Sequence, residues 1–270
     1  MNKIIDFHNH IFPAKVAPRV VSFLADYYGF GTNGSGEIDD LLSSAGAAGI
    51  SKLIVHSTAT KVSQVESINI YLGEVVKEHK GNFIGFGTLH PDFDNIDGEL
   101  ENIVSYGLRG LKFHPDFQGF EIDSDKMFKI YDAVGDTLPI LMHVGDKKSD
   151  KSSPKRMARA VKSFPNVTFI AAHFGGYSVW DEAYEYLAGE DLYFDTSSSL
   201  HKLPIDLAMK IIEKQGADKI LFASDYPMSN HSQSLQQFYT LPLNEEEREM
   251  ILYKNAEKLL NKSNFCKEHV

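Results

Sequence analysis

A single cysteine, Cys266, occurs in 270 residues. It excludes an internal disulfide and any metal cluster built from thiolates. Positive charge is in deficit: 27 Lys and Arg against 37 Asp and Glu leave a formal net charge of -10. That argues against a general nucleic-acid surface, because a phosphate backbone needs a basic face. No apolar run approaches the ~20 residues that cross a bilayer. The N-terminus lacks the basic, apolar and small-residue order of an export signal. The expectation is a cytoplasmic protein that engages neither membrane nor nucleic acid. No GxGxxG follows the first strand-like run and no phosphate loop occurs, which weakens an open doubly wound sheet as the fold.

What is present is a rhythm. Eight short apolar runs recur: KIIDFHNH, KLIVHST, FIGFGTLHP, RGLKFHP, PILMHVGD, VTFIAAHFGG, LYFDTSS and KILFASDYP. Each is short enough for a strand buried on both faces. Between them lie amphipathic stretches such as 67–80 and 123–137; in the second, Met127, Ile130, Tyr131 and Val134 share one helical face. Eight strands alternating with helices predict a (β/α)8 TIM barrel, a single domain over residues 1–270. Two connections are longer: YYGFGTNGSGEIDD reads as a flexible excursion before a new helix, and DKKSDKSSPKR as a polar, mobile loop. Asn244 with Glu247 three residues on forms a capping box at the start of a terminal helical stretch.

The polar residues gather at the C-terminal edges of these runs. They are His8 and His10, His56, His90, Lys112 and His114, His143, His173 and Asp225. In a barrel those edges meet on one face, where barrel enzymes keep their chemistry. Residues i and i+2 of a strand point the same way, about 6.6 Å apart along it, so His8 and His10 can lean onto one ion at about 2.0–2.1 Å from each nitrogen. A lone HxH is more often an ordinary hydrogen-bonded pair. With His143, His173 and Asp225 in register, the metal reading prevails. His143 and Asp225 are the best further donors. Three imidazoles and a carboxylate suit zinc, with iron or manganese also open. Zinc lowers the pKa of a bound water to about 7. Asp225 can touch the ion and take that water's proton, and His173, followed by two glycines, can hold the water or stabilise developing charge.

From DFHNH through LKFHP, LMHVGD, AAHFGG and FASDYP to NAEKLL, the chain resembles the amidohydrolase superfamily. It is most similar to the amidohydrolase-related branch, which is similar to aminocarboxymuconate-semialdehyde decarboxylase. The resemblance implies a barrel with one divalent metal, usually zinc, with His8, His10, His143 and Asp225 as ligands and His173 facing the metal-bound water. In two-metal relatives a lysine on the fourth strand is carbamylated and bridges the ions, so a second metal at Lys112 stays open. The nearer branch uses basic residues there for substrate carboxylates, and that is the preferred role for Lys112, with His114 on the same strand face. His90 and Tyr226 are further candidates for the substrate pocket. His56 is read as bonded to a loop. Asp195 is either a partner orienting a ligand or a loop cap, Trp180 is packing or pocket wall, and His201 and His231 lie in exposed loops.

The expected function is a metal-dependent hydrolase acting on a small carboxylated molecule. A decarboxylase on the same site is the first alternative; a non-catalytic metal-binding protein and a phosphoesterase are weaker ones. Oligomeric state is open, a homo-oligomer included.

Overall fold

A computed structural model describes residues 3–262; Cys266 lies outside them. The eight strands are β1 (Ile5–His10), β2 (Lys52–His56), β3 (Phe83–Phe86), β4 (Leu111–Phe113), β5 (Ile140–Met142), β6 (Phe169–Ala171), β7 (Tyr193–Asp195) and β8 (Ile220–Leu221). All pair in parallel and in sequence order, β1 to β3 and β4 to β8. Two seams close the ring. Gly87 N donates to Gly110 O at 2.8 Å and Lys112 N to Gly87 O at 2.8 Å, joining β3 to β4. Phe7 N donates to Phe222 O at 2.9 Å, Asp225 N to His8 O at 3.0 Å and His10 N to Tyr226 O at 2.7 Å, joining β8 to β1. The sheet is therefore a closed barrel, and no edge is left for an open doubly wound arrangement.

Alternation along the strands separates two apolar layers. Ile5, Phe7, Ile54, Phe86, Leu141, Ile170, Tyr193 and Leu221 form one cluster, the barrel interior. Leu53, Val55, Leu111, Phe113, Ile140, Met142, Phe169 and Ala171 point outward into a second cluster with the helices, including Met127, Ile130, Tyr131 and Val134 of the helix Asp125–Val134. Two charges break the inner layer: Lys112 of β4 pairs with Leu141, which pairs with Ile170, and Asp195 of β7 pairs with Leu221. The terminal helix Asn255–Leu260 adds Ala256, Leu259 and Leu260 to the inner cluster. It meets Lys3 through Glu257, so it closes the end where the strands begin.

The two long connections are tied down. In the first, Asn33 N and Gly34 N donate to Pro227 O at 2.8 and 3.1 Å, and the helix Ile38–Ala47 follows. In the second, Asp146 Oδ2 accepts from Tyr27 Oη at 2.7 Å, and Gly145 N donates to Ser152 O at 2.7 Å. The Asn244–Glu247 capping box forms. His231 differs from its expected exposure: it is fully buried, bonded to Ser44 Oγ at 2.8 Å and Asn9 Oδ1 at 3.0 Å, because the helix it begins packs against Ile38–Ala47. His201 is exposed, as expected. Among the described residues no helix is long and apolar enough to cross a membrane.

Candidate active site

His8, His10, His56, Lys112 and Asp195 lie within strands; His114, His143, His173 and Asp225 follow one to four residues beyond them. Period-two alternation aims His56, Lys112, His114, His143 and Asp225 inward, continuing from the inner residues of their strands. Two strands need a device. In β1 the inner residues are Ile5 and Phe7, which would leave His8 and His10 pointing outward. A bulge between Asp6 and Asn9 inserts an extra residue and reverses the alternation. The buried carboxylate of Asp6 holds this bulge, accepting from His8 N at 3.0 Å and Ser224 N at 3.1 Å. On β6, Ala172 belongs to the inner layer, so His173 would face out. Left-handed backbone at His173 (φ 61°) and Phe174 (φ 51°) turns it back. Asp225 is left-handed too, at φ 73°. Such conformations cost non-glycine residues on the order of 1–3 kcal/mol and persist where the surroundings hold them. Trp180 Nε1 donates to His173 O at 2.9 Å and is one such hold.

At the β1–β8 seam three donor atoms converge. His8 Nε2 lies 3.2 Å from His10 Nε2 and 3.3 Å from Asp225 Oδ1, and His10 Nε2 lies 3.5 Å from Asp225 Oδ1. Four tetrahedral donors at 2.0–2.1 Å from one ion stand about 3.3–3.4 Å apart, so these edges fit such an ion. His56 joins them: its ring centroid is 4.8 Å from that of His8 and 4.5 Å from that of His10. It is fully buried, and neither ring nitrogen has a hydrogen-bond partner. The loop hydrogen bond expected for His56 is thus replaced by a place in the cluster, because its strand pairs it directly with His10. Burial, together with Lys112 and the neighbouring imidazoles, pushes His8 well below the usual histidine range, and burial lowers His10 and His56 as well. Neutral imidazoles are the form that ligates. Burial would raise the Asp225 carboxyl, but the facing imidazoles outweigh it and hold it below the usual range. Ser198 Oγ donates to Asp225 Oδ2 at 2.5 Å, leaving Oδ1 toward the histidines.

A second group stands at β4 and β5. The His114 and His143 rings stack at 3.8 Å and 11°. His143 Nε2 lies 3.0 Å from Gly145 O and 3.8 Å from Asp116 Oδ2, both acceptors, so Nε2 carries the proton. Its free lone pair is on Nδ1, 2.9 Å from His173 Nε2. His114, Asp116 and His143 also lie close enough to hold an ion, as do His8, His10 and His56. His173 links the two groups: its ring centroid is 5.2 Å from that of His8 and 4.8 Å from that of His143.

Lys112 is fully buried, with Nζ 3.3 Å from His8 Nε2. Burial pushes its ammonium down to about 8, against the pull of Asp195 and Asp225. His90 bonds its own loop, Nδ1 accepting from Asp92 N at 3.2 Å. Tyr226 is fully buried; its hydroxyl donates to Asp40 at 2.6 Å and its ring stacks on His231. Two tyrosines not anticipated from the sequence border the histidines. Tyr28 Oη is 3.2 Å from His114 Nε2, and the Tyr177 ring is 5.6 Å from that of His173 and 5.4 Å from that of Tyr28. Tyr28 ends the helix Ala17–Tyr28 and Tyr177 follows the glycines after His173, so neither lies in a strand. The only signal for either was proximity to those segments.

A closed parallel barrel with imidazoles and a carboxylate at the C-terminal face has the layout of a barrel enzyme's active site. Residues 5–262 match the amidohydrolase family model, and the chain belongs to that family. It is similar over 161 residues to decarboxylase orsB of Emericella nidulans, at 26% identity, covering 58% of this chain. That match takes in 44% of the relative, so the chain spans less than half of the relative's length. Among solved structures it is similar to a dihydroxybenzoic acid decarboxylase from Polaromonas sp. JS666 with bound manganese and 2-nitroresorcinol, at TM-score 0.76 and 18% identity over 99% of this chain and 100% of that one. It is likewise similar to a probable 2-pyrone-4,6-dicarboxylic acid hydrolase from Acinetobacter baumannii with citric acid bound, at TM-score 0.71 and 15% identity over 97% of this chain and 100% of that one.

Proposed function

We propose that the chain is a metal-dependent enzyme that cleaves a small carboxylated molecule, by hydrolysis or by loss of carbon dioxide. The observation that carries this is the triangle of His8 Nε2, His10 Nε2 and Asp225 Oδ1, with edges of 3.2, 3.3 and 3.5 Å. His8, His10 and Asp225 are its ligands, and His143, with Nδ1 turned toward His173, is the fourth. Imidazoles with one carboxylate suit zinc; the manganese of the Polaromonas enzyme makes that ion the rival to test. When bound, such an ion supplies a Lewis acid and makes water a nucleophile at neutral pH.

The side chains do the rest. Asp225 takes a proton at Oδ2, the oxygen outside the triangle, which accepts from Ser198 Oγ at 2.5 Å. His173 holds or moves a proton at Nε2 beside the ligands. Lys112 offers its ammonium to a substrate carboxylate drawn to the same centre, and His114 lies next to it. Tyr28 and Tyr177 present ring faces and hydroxyls to a planar substrate. His90, bonded within its own loop, and Tyr226, bonded to Asp40, are left out of this assignment.

Hydrolysis follows from the sequence reading. Decarboxylation is favoured by the decarboxylases among the relatives, two of them named above. Small hydroxylated aromatic acids and dicarboxylic lactones should be offered to the metal-loaded protein, with carbon dioxide and ring-opened acid measured. Carbon dioxide without water incorporation marks the lyase, and a ring-opened acid marks the hydrolase. Inactivity on both classes in a fully loaded protein would contradict this substrate class.

A further inference from the structure

Between the two histidine groups lies a carboxylate assigned no part in the chemistry above. Asp195, at the end of β7, is fully buried. Its Oδ2 lies 2.8 Å from His8 Nδ1. Its Oδ1 accepts from His173 N at 2.8 Å, from Ser197 N at 3.0 Å and from Ser197 Oγ. The hydroxyl proton of Ser197 is therefore committed to Asp195. Ser197 then faces His173 Nδ1 with two acceptors, Oγ at 2.8 Å and its carbonyl at 3.1 Å.

We propose that Asp195, backed by Ser197, is a positioning residue that fixes which ring nitrogens of His8 and His173 face the reaction centre. The inference rests on the metal reading above. Two neighbours impose one tautomer on His8. The Asp195 carboxylate demands a proton on Nδ1, and the Lys112 ammonium, 3.3 Å from Nε2, demands a lone pair there. That lone pair is the one shared with His10 and Asp225 in the triangle. A carboxylate behind a ligating imidazole fixes its orientation and raises its basicity. The same carboxylate holds the backbone N–H of His173, whose φ of 61° an unsupported histidine would not keep. Ser197 fixes the Nδ1 side of His173 and leaves a lone pair on Nε2, which meets the lone pair of His143 Nδ1 at 2.9 Å, so these two nitrogens also converge on a cation or share an added proton. One acid thus sets both the ligand and the acid–base residue, and it does so without touching the substrate.

The test is Asp195→Asn in the full chain, stripped of metal and titrated with zinc against a chromophoric chelator, with imidazole 15N spectra of the metal-free protein. An amide cannot accept from both His8 Nδ1 and the His173 N–H, since one of its two atoms is a donor. Zinc affinity should fall ~10–100-fold, and the single Nδ1–H signal of His8 should give way to a mixture. Unchanged zinc affinity with His8 still in the Nδ1–H form overturns the proposal. A wild-type protein that binds no zinc or manganese refutes the metal reading instead, and the His8 spectra of the two proteins then decide the role of Asp195 alone. Should Asp195→Asn fail to fold, the imidazole 15N spectrum of wild-type His8 decides: the Nδ1–H form alone supports the proposal, and an Nε2–H form overturns it.

Discussion

The two histidine groups on the barrel face look alike in sequence and differ in geometry. At the β1–β8 seam the donor atoms point at one another, 3.2–3.5 Å apart, and one neighbour, His56, has both nitrogens unpartnered. At β4 and β5 the rings lie face to face at 3.8 Å, with His143 Nε2 directed at a backbone carbonyl and His114 at Tyr28. A cation between them would stabilise the converging lone pairs of the seam; the stacked rings at β4 and β5 are hydrogen-bonded, although Asp116 beside them keeps both carboxylate oxygens unpartnered. On the reading proposed above, the seam would hold the ion and the β4–β5 side would receive the substrate, with His143 reaching the ion from that side.

The largest expected effect breaks the comparison at Asp225. Asp225→Asn keeps the size and an acceptor but removes the charge. With metal partly retained, turnover should fall by a factor of ~10² or more, in the range of a positioned general base. The partner variant His173→Asn should slow the reaction with metal content nearly unaltered. Full turnover in metal-loaded Asp225→Asn would shift the proton transfer to His173, and loss of metal from His173→Asn would make that residue a ligand.

The support beneath the seam gives the next effect. His231 contacts Asn9, and its Nε2 is 3.5 Å from Asp6, the residue that holds the β1 bulge. Burial drops its imidazole to about 4. The unfolded chain takes up a proton near pH 6.5 and the folded chain only near 4, so this stability is complete above 6.5 and is lost as the pH falls through that window. The loss is about 3 kcal/mol at most. Urea unfolding of His231→Gln from pH 6.5 to 4 should show a shallower decline than wild type; parallel declines would remove His231 as its source.

These residues show what the sequence made legible. Strand count, order and closure follow from eight apolar runs, and period-two alternation places His56, His114, His143 and Asp225 correctly once the strands are known. His8, His10 and His173 face the site for reasons no pattern displays, a bulge pinned by Asp6 and a left-handed turn supported by Asp195. The burial of His231 was equally hidden, since it depends on two helices distant in sequence. Asp195 was readable only as a ligand-orienting partner or a loop cap, because its three partners come from β1, β6 and its own turn.

A smaller effect sharpens the comparison at Lys112, whose charge depresses histidines of both groups. Lys112→Met should raise KM about tenfold through the loss of one charge-assisted hydrogen bond, with metal content intact. Metal lost along with activity would make Lys112 part of the ion's shell, and an unchanged KM would confine it to pairing with Asp195 and Asp225.

Metal content tests the division between the two groups most directly. Wild type, His8→Asn and His114→Asn should be dialysed against equal zinc and manganese and analysed for bound ions. One ion per chain in wild type and in His114→Asn, with none in His8→Asn, is the predicted result. An ion kept by His8→Asn and lost from His114→Asn would place the metal at β4 and β5 and contradict the account.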